Sequence, residues 1–93
     1  MKLAFIGTGK IIADALFAIE PIKEIEKTAI FARPHSKEKA EAFAKQYNIA
    51  EVYTDYEKLL TETAADTVYI GLINSAHYSY AKQALLHGKN VIL

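Results

Sequence analysis

No cysteine occurs anywhere in the chain. Disulfides and thiolate metal sites are therefore excluded, and the composition suits a reducing, cytoplasmic compartment. Net charge is also missing, because 11 basic side chains balance 11 acidic ones. No electrostatic footprint for a nucleic acid or an anionic membrane remains. No apolar run approaches a membrane span, and the run at residues 1–6 is too short for a signal peptide. There is no internal repeat and no low-complexity segment. His35, His77 and His87 are scattered, and no three histidines or carboxylates share a face, so no metal site is expected. No serine stands in a nucleophile-elbow context. The 93 residues make one domain, which buries roughly 60–65% of its unfolded surface and should be modestly stable. Against these absences, the hydrophobic fraction of 52% is high for so small a domain. The excess points to apolar surface intended for something outside the chain.

What is present is organised around the first turn. Leu3-Ala4-Phe5-Ile6 is a short apolar run, followed by Gly7 and Gly9 and then by a helical pattern with no intervening loop. A strand turning sharply into a helix through Gly-x-Gly opens a dinucleotide-binding βαβ unit. Gly7 allows a tight turn, since it has no Cβ to forbid positive φ. Gly9 removes a side chain where a pyrophosphate must approach, and the helix offers that phosphate its free N–H groups and positive dipole end. The third glycine of the fingerprint would fall at Ile12, with the small Ala13 one place later. A tight turn without a ligand is the alternative reading of such a motif.

The remaining chain alternates strand and helix. The first helix spans about Lys10 to Ile19, with Ile11, Ala15 and Ile19 as its buried stripe and Ile12 and Leu16 beside them. Ile22 to Lys27 reads as a solvated link. The second strand is Thr28 to Ala32, broken by Arg33-Pro34-His35. Ser36 is a candidate N-cap for a helix carrying Ala40, Phe43, Ala44 and Tyr47, stopped at Asn48. A short edge strand covers Ile49 to Tyr53. Thr54 to Glu57 has a capping-box pattern, so a helix starts there, carries Leu59 and Leu60 inward and ends near Thr63. Thr67 to Leu72 is a β-branched and aromatic strand. Ser75 opens a helix packed through Ala81, Ala84, Leu85 and Tyr78 and closed by Gly88. Asn90 to Leu93 is a fifth strand. Such alternation predicts an α/β, Rossmann-type, doubly wound parallel sheet in the order 3-2-1-4-5, with two helices on each face. The ligand crevice should then lie at the carboxyl ends of strands one and four, between Gly7-to-Lys10 and Leu72-to-His77.

Several residues could carry chemistry there. An NAD site usually ends its second strand on an acidic residue that accepts from the ribose 2′-OH. Here Ala32 holds that place and Arg33 follows, an arrangement suited to the 2′-phosphate of NADP. His35, Ser36 and Lys37 could add donors. The alternative is a surface arginine in a polar loop. Lys10 is either a phosphate contact or an exposed lysine at a helix start. Asn74 could touch the nicotinamide ribose or simply serve a turn. His77 could contact cofactor or substrate, or be a helix-start residue only.

These residues resemble the N-terminal, cofactor-binding half of the Gfo/Idh/MocA oxidoreductases, the glucose–fructose oxidoreductase and inositol dehydrogenase family. The resemblance runs from Ala4-Phe5-Ile6-Gly7-Thr8-Gly9-Lys10-Ile11 through Ala32-Arg33 and Lys39 to Ala44. It continues in Tyr53 to Leu60, in Asp66 to Tyr78, and in Ala84 to Val91. It implies that Gly7, Thr8, Gly9, Lys10 and Ile11 form the phosphate turn. By the same resemblance, Ile73, Asn74 and His77 border the nicotinamide. Two departures stand out. Leu72-Ile73-Asn74 replaces the family's usual Thr-Pro-Asn, and Ile12 replaces a small residue. Family members continue into a Glu-Lys-Pro motif with a catalytic or near-catalytic lysine. A second domain then supplies the substrate pocket and subunit interface. The chain is accordingly expected to be a fragment, with no catalytic residue of its own, from a homo-oligomeric NADP- or NAD-dependent oxidoreductase of sugars, polyols or related alcohols. A non-catalytic NADP-binding sensor is the alternative. A Rossmann-like domain for another nucleotide, such as S-adenosylmethionine, is a third reading.

Overall fold

The computed structural model describes residues 1–72 and 74–93, apart from the side chains of Asn74 and Ser75. Five strands carry the fold: β1 (Lys2–Ile6), β2 (Glu26–Phe31), β3 (Glu51–Tyr53), β4 (Thr67–Ile70) and β5 (Asn90–Ile92). They form one sheet in the order β3-β2-β1-β4-β5, and every pairing is parallel. In register, Phe5 lies opposite Ile30 on one side and Tyr69 on the other. This is the expected Rossmann-type order, reversing at the β1–β4 pair.

Four α-helices cover the sheet: α1 (Lys10–Ile19), α2 (Lys37–Tyr47), α3 (Tyr56–Glu62) and α4 (Asn74–Leu86). Because side chains alternate across a strand, β1 feeds two cores. Leu3 and Phe5 pack with Ile12 and Leu16 of α1 and Ala40 of α2. Ala4 and Ile6 pack with Tyr56, Leu59 and Leu60 of α3 and Ala84 of α4. Two helices thus lie on each face, and the central strand is apolar on both sides.

The helix stops were legible. Asn48 takes the left-handed conformation after α2, at φ 61°, and Gly88 does so after α4, at φ 75°. Other details differ from expectation. The buried stripe of α1 runs through Ile12 and Leu16, while Ile11 is 53% exposed. Two adjacent apolar lines compete, Ile11-Ala15-Ile19 and Ile12-Leu16-Ile19, and sheet contact selects the one centred on Ile12. β2 begins at Glu26 inside the supposed link, because Glu26 donates its N–H to the Met1 carbonyl. Ser36 makes no capping bond: Pro34–Ser36 forms a 3₁₀ turn whose own backbone bond leads into α2. Asp55, not Thr54, caps α3 by accepting the Lys58 N–H at 3.2 Å. Finally, α4 packs through Ala84, Ala81 and Tyr80, leaving Leu85 62% and Tyr78 77% exposed.

Candidate functional site

The carboxyl ends of the central strands open into a cleft of about 240 Å³, lined by residues from four segments. Gly7, Thr8 and Gly9 come from the turn between β1 and α1. Phe31, Ala32 and Arg33 come from the end of β2, His35 and Ser36 from the 3₁₀ turn, and Gly71 and Leu72 from the end of β4. Backbone bonds hold these segments together beyond the regular ladders. The Gly7 N–H donates to the Phe31 carbonyl at 2.9 Å, and the Gly71 N–H donates to the Ile6 carbonyl at 2.9 Å.

The two glycines of the turn have separate reasons. Gly7 has φ 120°, and a Cβ there would lie 2.9 Å from the Gly71 carbonyl oxygen. The fold itself requires glycine at this position. Gly9 is the N-cap of α1 with ordinary extended angles, φ −84° and ψ −169°. A Cβ on Gly9 would meet nothing within 4 Å. The chain's own packing does not ask for glycine there, so the vacated space belongs to the cleft. α1 also has no side-chain cap and no acidic residue in its first turn. Its leading N–H groups and positive dipole end therefore carry no side-chain partner of their own, the arrangement that suits an anion.

The opposite wall is cationic. Arg33 stays extended before Pro34, at φ −63° and ψ 155°, as a residue preceding proline should. Its exposed side chain makes no ion pair among the described residues. Among the described residues no carboxylate lines the cleft. Behind the wall, Phe31 stacks near Tyr56 and Tyr80, with ring centroids 5.5 and 5.8 Å away. Tyr56 donates its hydroxyl to the Tyr80 carbonyl at 2.9 Å. Burial pushes the Tyr56 phenol well above its usual range, with Tyr80 adding to the effect. It is a neutral structural donor.

The sequence candidates separate on this geometry. Gly7, Thr8, Gly9, Ala32 and Arg33 come together on the cleft, joined by His35 and Ser36. Lys10 does not line it; the ammonium pairs with Asp14 at 2.9 Å on the exposed side of α1. Ile11 does not line it either, and the expected buried position falls to Ile12. His77 lies outside the wall, where its Nε2–H donates to the Leu72 carbonyl. Ile73 and the side chain of Asn74 lie outside the described residues. Phe31 and Gly71 were not anticipated. Gly71 had a signal, a glycine at the end of a strand, but what it faces is 59 residues away in sequence. Among the described residues no group of three or more His, Asp or Glu could hold a metal, and no helix is long and apolar enough to cross a membrane.

Residues 1–93 match the model of the GFO_IDH_MocA oxidoreductase family, NAD-binding Rossmann fold. The chain belongs to this family. It is similar to trans-1,2-dihydrobenzene-1,2-diol dehydrogenase of Xenopus laevis, at 30% identity over 98% of this chain and 28% of that protein. A 3-ketoreductase from Actinomadura kijaniata, solved with TDP-benzene and NADP, superposes with TM-score 0.87 at 30% identity, over 98% of this chain and 28% of that one. Scyllo-inositol dehydrogenase from Lactobacillus casei superposes with TM-score 0.86 at 22% identity, over 98% and 26% of the two chains, which speaks for the fold. The chain thus spans little more than a quarter of the length of these relatives. It is an NAD-binding Rossmann domain of the oxidoreductase family.

Proposed function

We propose that the cleft holds a nicotinamide dinucleotide and prefers NADP to NAD. One observation carries the preference: the wall at the end of β2 presents Arg33 and no carboxylate. A guanidinium matches a 2′-phosphate in charge and geometry, whereas a ribose 2′-OH calls for an acceptor. Ala32, with its backbone N–H donated to the Tyr53 carbonyl, supplies no such acceptor. Gly7, Thr8 and Gly9 would receive the diphosphate at the α1 N-terminus, and His35 and Ser36 would flank the 2′-phosphate. The bound cofactor supplies hydride chemistry; the chain's own residues bind and orient it. Ile73, Asn74 and His77 remain the proposed nicotinamide side, with His77 acting through the Leu72 carbonyl.

The whole protein, on this reading, is an oxidoreductase that moves hydride between nicotinamide and a sugar, polyol or related alcohol carbon. The relatives' names support the class, a dihydrodiol and an inositol among them. A further domain would bring the substrate and the catalytic lysine, and the protein would work as a cytoplasmic homo-oligomer. The deciding experiment titrates NADPH and NADH into the wild-type chain and into Arg33→Ala. A charge-assisted phosphate contact contributes roughly 1.5–3 kcal/mol, so NADPH affinity should fall about tenfold to a hundredfold while NADH changes little. Equal losses for both would show Arg33 to be structural, or to stack on the adenine they share.

A further inference from the structure

The third position of the glycine fingerprint is Ile12, where a small residue normally lets the helix approach the sheet closely. Ile12 is nevertheless fully buried, packed in one cluster with Leu3 and Phe5 of β1 and Ile30 of β2. The room comes from the other side. A Cβ built on Gly71 would lie 2.5 Å from Ile12 Cδ1 and 2.7 Å from Ile12 Cγ1. Gly71 is not among the residues of positive φ, which are Gly7, Asn48 and Gly88. Its lack of a side chain therefore answers to packing and not to backbone conformation. The same residue also touches the phosphate turn. Its carbonyl oxygen is the atom a Gly7 Cβ would meet at 2.9 Å, and its N–H holds the Ile6 carbonyl.

From this we infer that Ile12 and Gly71 form a reciprocal pair, a fingerprint glycine transferred from α1 to the end of β4, which sets the height of the Gly7–Gly9 turn above the sheet. Both are positioning residues. Ile12 reaches no ligand, and Gly71 acts through Gly7 and the start of α1. Adding a methyl group at Gly71 has two outlets: Ile12 moves outward with α1, or Gly71 moves toward Gly7. Either one shifts the N–H groups aimed at the diphosphate. Shortening Ile12 gives the methyl group its space and returns the small residue to the helix.

The functional half of this inference rests on the dinucleotide reading above, so the test measures binding and stability separately. Affinities for NADPH and for adenosine 2′,5′-bisphosphate are measured in the wild-type chain, Ile12→Ala, Gly71→Ala and the double variant, with a urea melt of each. The bisphosphate reaches the Arg33 end but carries only one 5′-phosphate. In Gly71→Ala, NADPH affinity should fall about tenfold or more, the scale of coupling between residues in contact. Bisphosphate affinity should change less than about twofold, within the error of additivity. The double variant should recover most of the NADPH loss and be more stable than the sum of the single variants requires. A double variant that binds NADPH no better than Gly71→Ala overturns the inference, and so does equal weakening of both ligands. Additive stability losses overturn it too. Should Gly71→Ala fail to fold, a folded double variant supports the pair and an unfolded one overturns it. A wild-type chain that does not bind NADPH sinks the dinucleotide reading alone, and the melts still decide the pair.

Discussion

Helices α1 and α4 follow the adjacent strands β1 and β4, yet they are anchored very differently. α1 buries Ile12 and Leu16 completely against the sheet. Among the described side chains of α4 only Ala84 is buried, while Leu86 is 75% exposed. Tyr78, Ala81, Lys82, Leu85 and Leu86 line an open apolar groove on its outer side, and β5 beside it has no buried residue. The two helices differ in apolar content, eight of ten residues in α1 against seven of thirteen in α4 with tyrosine counted, and in patterning. On α1 the apolar residues recur toward one face, whereas on α4 they are spread around it. The α1 side of the cleft is therefore anchored by large buried side chains, and α4 on the β4–β5 side packs through small or half-buried ones, Ala84, Ala81 and Tyr80.

The largest test of this contrast is Leu16→Ala against Leu85→Ala. Truncating a buried leucine costs about 2–5 kcal/mol. An exposed one should stay within about 0.5 kcal/mol. Urea melts of the two variants read the difference, and similar costs would erase the contrast. A smaller effect compares the helix ends. Gly88→Ala forces a β-carbon into the left-handed region with open space around it, so only backbone strain is added, about 1–2 kcal/mol. Asn48→Gly, in the same conformation after α2, should be close to neutral or slightly stabilising. A Gly88→Ala melt indistinguishable from wild type would mean that α4 frays before its cap matters.

The smallest effect is a dependence on pH at the foot of the sheet. Asp66 accepts from the Thr67 hydroxyl at 2.7 Å and from the Lys2 N–H at 3.2 Å. These bonds, the threonine's first, hold its carboxyl below the ordinary range. A value lowered in the folded state means the carboxylate stabilises the fold above the ordinary aspartate range. That contribution is lost as pH falls through the lowered value. Asp66→Asn should flatten the acid limb of the stability profile. Its backbone also links β1 to β5, since it donates to the Lys2 carbonyl and accepts from the Asn90 N–H. Protection of the Val91 and Ile92 amides from hydrogen exchange, with the intrinsic pH dependence divided out, should therefore fall on acidification sooner than at Phe5. Equal response at both strands would show that the β5 side is no looser than the β1 side.

The sheet order, the helix count and the stops at Asn48 and Gly88 were legible because they depend on local chemistry: turn residues, alternation and handed crossovers. The rotation of α1 was not, since Ile11 and Ile12 are adjacent and equally apolar. Only contact with the strands distinguishes them. The exposure of Tyr78 and Leu85 was hidden for the same reason. At the site, Gly7, Gly9 and Arg33 could be placed from neighbours in sequence. Gly71 could not, because its reason for being glycine is a side chain in another segment. Lys10 stays open to either reading, since its pair with Asp14, one turn on, is exposed.

Gly9 separates two kinds of selection. Since a methyl group there would touch no protein atom, a library screened for folded, well-expressed protein would let Gly9→Ala through unnoticed. On the proposed dinucleotide reading, a screen for growth or cofactor-dependent signal would discard it, because the same methyl group would stand in the space proposed for the diphosphate. Gly7 would be lost from both screens. The ratio of the two enrichments at each cleft position would then map the ligand's outline using variant frequencies alone.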